Sequence, residues 1–248
     1  MKAVVIVLTV VVVFVSLSAL YEVESGISDG MCNVAVLPVE GSILPFYGIG
    51  DFELVVTPEI VETFMDTAEE DENIKAVLVE INSPGGTPVA SQRIADRFKN
   101  SALPVVGLIG DVGASGGYMV AAATDYLIAS PMSSVGSIGV NMSYVEESEK
   151  NEEEGLTYVQ LIAGKFKDVG SPDRAISEEE KALLQADLDI VHNIFIDLVA
   201  GYRNMEREAV VLVADGSTML GVTAEKAGLV DGLGGRNEAK AALATILE

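Results

Sequence analysis

The strongest constraint on the fold is an alternation of short apolar runs with helical patterns, which begins near Asn33 and continues to the C-terminus. The apolar runs have the length and the β-branched content of buried strands, and they cover residues 34–39, 76–81, 104–109, 126–129 and 157–162. Strands that alternate with helices on this scale predict an α/β domain built on a mostly parallel sheet.

Local signals mark the ends of several helices. Thr57 followed by Pro58 is typical of a helix start, because the first turn leaves unused the N–H group that proline lacks. Ser177 and Glu180 have the spacing of a capping box and open the longest predicted helix. An apolar stripe on that helix comprises Leu184, Leu188, Val191, Phe195, Leu198 and Tyr202. A shorter helix is predicted to end at Gly228 in a left-handed conformation.

Charge and composition exclude several classes of function. The 248 residues include 15 basic and 38 acidic side chains and carry a formal net charge of −23, so we expect no nucleic-acid partner. The single cysteine and single histidine, Cys32 and His192, are too few for a disulfide framework or a usual zinc site. We therefore expect no metal and no other cofactor. The acidity fits either an ordinary solvated surface or adaptation to high external salt, which screens the repulsion.

Residues 1–22 predict a membrane anchor. Residues 3–20 carry no charge, and a helix of that length spans about 27 Å, close to the hydrocarbon thickness of a bilayer. Lys2 precedes this segment and Glu22 follows it, so the positive-inside rule places everything after about residue 22 outside the cytoplasm. A cleaved signal peptide is the alternative, with a weak cleavage site at residues 16–18. Residues 23–32 then form a linker, and residues 33–248 form the domain.

Two glycine-rich turns follow two of the predicted strands. The first is Asn-Ser-Pro-Gly-Gly at residues 82–86, and the second is Gly-Ala-Ser-Gly-Gly at residues 113–117. The carboxyl ends of parallel strands lie at one edge of a sheet, so the two turns are expected to meet. Uncovered backbone N–H groups beside Ser115 would suit a nucleophile next to an oxyanion site. Each turn alone is equally explained as a tight turn.

A serine nucleophile needs a base to accept its proton. His192 falls inside the long predicted helix beside the apolar stripe, where we expect a packed or half-exposed histidine. A lysine serves instead when burial favours its neutral form. Lys165 and Lys167 both follow the predicted strand at residues 157–162, and their positions alone do not choose between them. Two surface lysines are the simpler interpretation of that segment.

Four ordered motifs resemble signal peptide peptidase A of the short archaeal and bacterial type, peptidase family S49. They are residues 82–86, 114–118 and 136–140, and residues 164–168 followed by Ser171 and Pro172. The resemblance extends from about Val34 to residues 228–231. It implies a fold of the crotonase or Clp-protease type after one transmembrane helix. It also implies a serine–lysine dyad that hydrolyses remnant signal peptides in the plane of the membrane.

Transferred to the matching positions, the resemblance implies Ser115 as the nucleophile and Lys167 as the general base. Ser137 matches a serine that orients the lysine through a hydrogen bond. The short form, with one copy of each motif, would assemble into a ring-like or dome-like homo-oligomer with active sites at subunit borders. The substrates would be released signal peptides, and the protein would lie in the cell membrane with its domain extracytoplasmic.

The resemblance also implies backbone donors for an oxyanion. One is the N–H group of Gly116, and the other is that of Gly85 or Gly86, a choice that the sequence leaves open. Met119 departs from the many relatives that carry a tyrosine there. The alternatives are a stomatin-associated membrane protease of the same fold and a non-proteolytic chain, either an acyl-CoA crotonase or a scaffold.

Overall fold

The computed structural model describes residues 33–46 and 54–248. The predicted anchor over residues 1–22 and the linker over residues 23–32 lie outside the described residues. Across the described ranges, no helix is both long enough and apolar enough to cross a bilayer.

The core of the chain is one eight-stranded sheet with the strand order β2-β1-β3-β4-β5-β8 along its main path. Every neighbouring pair on that path is parallel. β6 pairs with β4 in parallel, and β7 pairs with β6 antiparallel. The strands are β1 (Val34–Ile43), β2 (Val55–Val56), β3 (Ala76–Gly86), β4 (Val105–Ala114), β5 (Tyr126–Ala129), β6 (Ser134–Gly136), β7 (Thr218–Leu220) and β8 (Gly232–Leu233).

Helices cover both faces of the sheet, as a parallel sheet requires. They are α1 (Pro58–Glu70), α2 (Pro88–Lys99), α3 (Gly116–Ala122), α4 (Ser148–Glu153), α5 (Glu178–Arg203), α6 (Arg207–Val211), α7 (Gly221–Lys226) and α8 (Arg236–Ile246). Alternate residues of β3 point to opposite faces: Val77 and Val79 enter the larger core, and Leu78 enters a smaller core that includes Leu243 of α8. The predicted α/β architecture is confirmed.

Three of the predicted strands extend further than their apolar runs. β1 continues to Ile43, β3 to Gly86 and β4 to Ala114, so the glycine-rich turns lie at the carboxyl ends of paired strands. A parallel ladder needs only backbone groups, and glycine supplies these as well as any other residue. The predicted strand at residues 126–129 matches β5.

The predicted buried strand at residues 157–162 is wrong. The segment has no strand pairing in the structure, and its side chains are exposed, with Leu161 at 93% and Val159 at 74%. A strand is stable only where a neighbour satisfies its backbone groups, and the described sheet offers this segment no neighbour. The apolar run therefore indicates burial that the described part of the chain does not provide.

The predicted helix ends are confirmed. Thr57 caps α1, with its Oγ1 accepting from the N–H of Ile60 at 3.4 Å. Ser177 and Glu180 form the capping box at the start of α5, a helix of 26 residues. Gly228 has a φ of 79° after α7. The C-terminal half of α5 packs on the core and its N-terminal half is largely exposed.

Candidate active site

Ser115 lies on a sharp turn between the end of β4 and the start of α3. Its backbone has φ 52° and ψ −125°, a conformation that non-glycine residues rarely adopt. The turn is held by the N–H group of Ser115, which donates to the carbonyl of Gly136 at 2.8 Å. The side chain is half-buried. Such a turn projects a hydroxyl beyond the end of the sheet, as a nucleophile requires.

The two glycines after Ser115 allow α3 to approach its neighbours closely. A Cβ atom at Gly116 would clash with the hydroxyl of Ser91 in α2. A Cβ atom at Gly117 would clash with the carbonyl of Ser83 in β3. No side chain fits at either position, so the glycine pair is explained by packing around the serine as well as by the turn.

The first glycine-rich turn meets the second, as predicted. A Cβ atom at Gly85, whose φ is 103°, would lie 2.6 Å from the backbone nitrogen of Gly116. The N–H group of Gly85 already donates to Ser83 Oγ at 3.1 Å. The backbone nitrogen of Gly86 lies 3.2 Å from the position of a Cβ at Gly116.

The direction of the Gly86 N–H group follows from the strand pairing. The next residue, Thr87, donates its N–H group to the carbonyl of Ile43 in β1 at 2.9 Å. Consecutive N–H groups of an extended chain point to opposite sides. The N–H group of Gly86 therefore faces away from β1, on the side where Gly116 lies.

A cavity of about 140 Å³ opens beside the nucleophile. Its wall contains the glycine turns, apolar side chains from four regions and one amide: Gly86, Pro88, Ser115, Gly116, Met119, Gly139, Val140, Asn141, Val191 and Phe195. The contributions of Val191 and Phe195 were missed at the sequence level, because both belong to the apolar stripe of α5 that predicted only core packing. A cavity of this size and lining accommodates a small apolar side chain.

Ser137 follows a residue that binds the nucleophile's backbone, but its own hydroxyl makes a different contact. The residue before it, Gly136, accepts the N–H group of Ser115. Ser137 itself has φ 51°, and its hydroxyl donates to the carbonyl of Gly216 at 3.0 Å. In a single chain its hydroxyl is therefore engaged with the loop before β7.

The lysines lie apart from this cavity in a single chain. Lys167 is exposed in a turn, where its N–H group donates to the carbonyl of Gly164 at 3.1 Å, and it does not line the cavity. Lys165 is exposed as well and pairs with Glu179 at 2.5 Å. The structure therefore brings together Ser115 and the glycine turns, and it leaves both candidate bases outside the wall of the cavity.

His192 is half-buried in α5, as expected from its place beside the apolar stripe. Its Nε2 atom is buried and has no hydrogen-bond partner among the described residues. Its neighbour Val191 lines the cavity, but His192 itself does not.

The chain is similar to several proteins that are named as proteases or peptidases. The chain is 38% identical over 177 residues to a provisionally named protease of Methanocaldococcus jannaschii, a match covering 71% of this chain and 57% of that protein. It is 36% identical over 175 residues to a protein of Enterococcus faecium provisionally named signal peptide peptidase SppA, covering 69% of this chain and 51% of that protein. It is 28% identical over 219 residues to the chloroplastic serine protease SPPA of Arabidopsis thaliana, covering 86% of this chain and 32% of that protein.

The chain spans about half the length of the first two of these relatives. The model of peptidase family S49 matches residues 97–248, a range that includes Ser115, Ser137 and Lys167 and begins after the first glycine-rich turn. This match covers more than half of the chain, and the chain belongs to peptidase family S49.

Proposed function

We propose that the chain is a serine endopeptidase of the signal peptide peptidase A type, with Ser115 as its nucleophile and Lys167 as its general base. The observation that carries the proposal is the strained turn at Ser115, which lies against two converging glycine turns above a small apolar cavity. A hydroxyl, backbone N–H groups and a side-chain pocket in one place are the parts that acyl transfer needs.

The reaction follows from these parts. The neutral amine of Lys167 removes the proton from Ser115 Oγ, which attacks the peptide carbonyl, and the N–H groups of Gly86 and Gly116 stabilise the oxyanion. Gly86 is the better donor than Gly85, whose N–H group is already bonded to Ser83 Oγ. The protonated lysine returns its proton to the leaving amine, and water then hydrolyses the acyl-enzyme.

The position of Lys167 supports a site shared between subunits. Lys167 is exposed in its own chain, whereas a lysine acts as a base only where burial favours its neutral form. The exposed apolar side chains of the surrounding segment, residues 140–176, are those of an interaction surface: Met142, Val145, Leu156, Val159, Leu161 and Ile162. We propose a homo-oligomer in which the turn bearing Lys167 reaches the partner subunit's Ser115 and is buried there.

The cavity and the N-terminal sequence indicate the class of substrate. Met119, Val140 and Phe195 leave room for a small apolar side chain, which is abundant in signal peptides. The uncharged segment at residues 3–20 would hold the domain at the membrane, on its outer side, where released signal peptides occur. We therefore propose remnant signal peptides as the substrates and the cell membrane as the location.

The test is covalent labelling of the full chain with a fluorophosphonate probe, followed by peptide mapping. We expect labelling at Ser115, no labelling of Ser115→Ala, and normal labelling of Ser148→Ala, in which a serine of α4 is removed. Cleavage of a peptide with small apolar residues should be lost with the label. A folded chain that neither reacts with the probe nor cleaves the peptide would refute the protease assignment and favour a non-proteolytic crotonase-like scaffold.

A further inference from the structure

Arg174 binds the residue that follows Lys167. Its Nε donates to Asp168 Oδ2 at 3.0 Å, and its Nη2 donates to the backbone carbonyl of Asp168 at 2.9 Å. The main chain before Lys167 is held by the bond from its N–H group to Gly164. The backbone is therefore fixed on both sides of Lys167.

One oxygen of the Asp168 carboxylate is engaged with three donors. Its Oδ2 atom accepts from Tyr158 Oη at 2.9 Å, from Gln160 Nε2 at 2.6 Å and from Arg174 Nε at 3.0 Å. The Asp168 side chain is only 20% exposed. These contacts fix an acidic group that is adjacent in sequence to Lys167, and the contact with Arg174 also neutralises its charge.

The other end of Arg174 is anchored at the start of α5. Nη1 and Nη2 donate to the two carboxylate oxygens of Glu180 at 2.9 and 2.5 Å, a two-pronged contact that only arginine makes. Glu180 also accepts from the N–H group of Ser177 at 2.9 Å as part of the capping box. The hydrogen bonds from Arg174, followed by those from Ser177, lower the pKa of Glu180 to about 2, so this anchor stays ionised.

The helix that begins at this anchor carries Val191 and Phe195 into the wall of the Ser115 cavity. One continuous helix thus connects the turn bearing Lys167 with the cavity of the same chain. The position of the turn is set by the arginine clasp, which we define as Arg174 with Asp168 and Glu180.

We propose that Arg174 is a positioning residue for Lys167: it fixes the turn on α5 and neutralises the charge of the Asp168 carboxylate, which is adjacent in sequence to the lysine. The proposal rests on the proposed role of Lys167 as the base. Without the guanidinium, the uncompensated charge of Asp168 would favour the charged form of the neighbouring lysine, which cannot accept a proton.

Two other charged groups of this segment have partners of their own. Lys165 is paired with Glu179, and Asp173 accepts from Asn151 Nδ2 at 3.0 Å. The loss of Arg174 would leave two acidic groups without their guanidinium partner, Asp168 and Glu180, and of these Asp168 is adjacent in sequence to Lys167.

The experiment is the pH dependence of kcat/KM for the full chain with an apolar fluorogenic peptide, because this profile reports the ionisation of the free enzyme. In Arg174→Ala we expect the acidic limb to move to higher pH by about one unit or more. Activity at neutral pH should fall about tenfold or more through kcat, with little change in KM. Adding Asp168→Asn to Arg174→Ala should return the limb toward its wild-type position. Arg207→Ala, which removes an exposed pair with Asp197 on α5, should leave the profile unchanged.

Arg174→Lys covers the case in which the alanine variant does not fold. It keeps the charge but loses the two-pronged contact, so we expect a shift in the same direction and of smaller size. A wild-type acidic limb in either folded Arg174 variant, with only the total activity reduced, would overturn the proposal. Turnover retained by Lys167→Ala would instead refute the proposed base, so the two failures are distinguishable.

Discussion

The hydroxyl of Tyr118 donates a hydrogen bond of 2.9 Å to the carbonyl of Leu229, and both residues are completely buried. This bond joins the helix that follows the nucleophile to the segment before β8. Burial raises the pKa of Tyr118 well above its ordinary value, so the hydroxyl remains a donor throughout the working range. Tyr118→Phe should therefore lower the free energy of unfolding by about 1–2 kcal/mol, because it leaves a buried carbonyl without its partner.

Urea denaturation monitored by circular dichroism measures this change. Tyr144→Phe is the matched control, since its ring is 39% exposed and its hydroxyl should not affect stability. Equal stability of both variants and the wild-type chain would show that the bond to Leu229 contributes nothing.

Gly116→Ala should reduce labelling of Ser115 by at least tenfold, because the added methyl group clashes with Ser91 Oγ and displaces the donor beside the nucleophile. Ser91→Gly in the same chain should restore part of the labelling rate by removing the clashing atoms. Gly201→Ala is the control, since its methyl group meets nothing within 4 Å. In the last turn of α5 it should raise stability by up to about 0.5–1 kcal/mol and leave labelling unchanged.

Replacement of the proposed dyad should abolish peptide cleavage. Ser115→Ala and Lys167→Ala each remove a group that changes its bonding during the reaction, so we expect losses of about a thousandfold or more. Lys165→Ala and His192→Ala should retain most of the activity, because neither side chain lines the cavity. Steady-state cleavage rates of purified, folded variants measure these losses. An inactive Lys165→Ala beside an active Lys167→Ala would reverse the assignment of the general base.

A shared site predicts complementation between inactive chains. Ser115→Ala and Lys167→Ala, unfolded together and reassembled, should recover activity, since some borders then join an intact serine to an intact lysine. Leu161→Asp should prevent assembly and recovery alike, because it places a charge on a side chain that is 93% exposed in the single chain. Light scattering and activity should be measured on the same samples. A fully active monomer would contradict the site shared between subunits.

Stability should fall in acid because of specific carboxylates. The hydrogen bond from Arg97 lowers the pKa of Glu69 to about 2, below its ordinary value of 4.5. A carboxylate of this kind stabilises the folded chain above the unfolded value and loses that contribution as pH falls from about 4.5 toward 2. Glu69→Gln should flatten the pH dependence of unfolding in this window by about 1–2 kcal/mol. Unchanged steepness in the variant would assign the acid sensitivity to other groups.

The sequence predicts the parts of the site that depend on local rules. The capping box at Ser177, the glycine turns and the serine between strand and helix each leave a signal within a few residues. The meeting of the two turns follows from parallel pairing alone. The cavity wall does not follow, because Val191 and Phe195 have the same pattern whether they face a core or a substrate.

The segment at residues 157–162 shows what an apolar pattern does not predict. Its apolar run was interpreted as a buried strand, but an apolar side chain records that burial is favourable without recording which chain provides it. The same ambiguity prevented a choice between Lys165 and Lys167 from position alone, since the surroundings of both depend on what covers this segment. Arg174 was missed because a single arginine after a turn has no distinctive pattern.

The positive φ at Ser115 lowers the stability of the fold at the position that carries the proposed nucleophile. Glycine adopts this conformation without penalty, so Ser115→Gly should relieve strain on the order of 1 kcal/mol. A chain that needed no nucleophile at this position would release that strain by exchanging the hydroxymethyl group for a hydrogen atom. The serine therefore persists against the preference of its own backbone, and the surrounding fold must supply the energy that keeps it there.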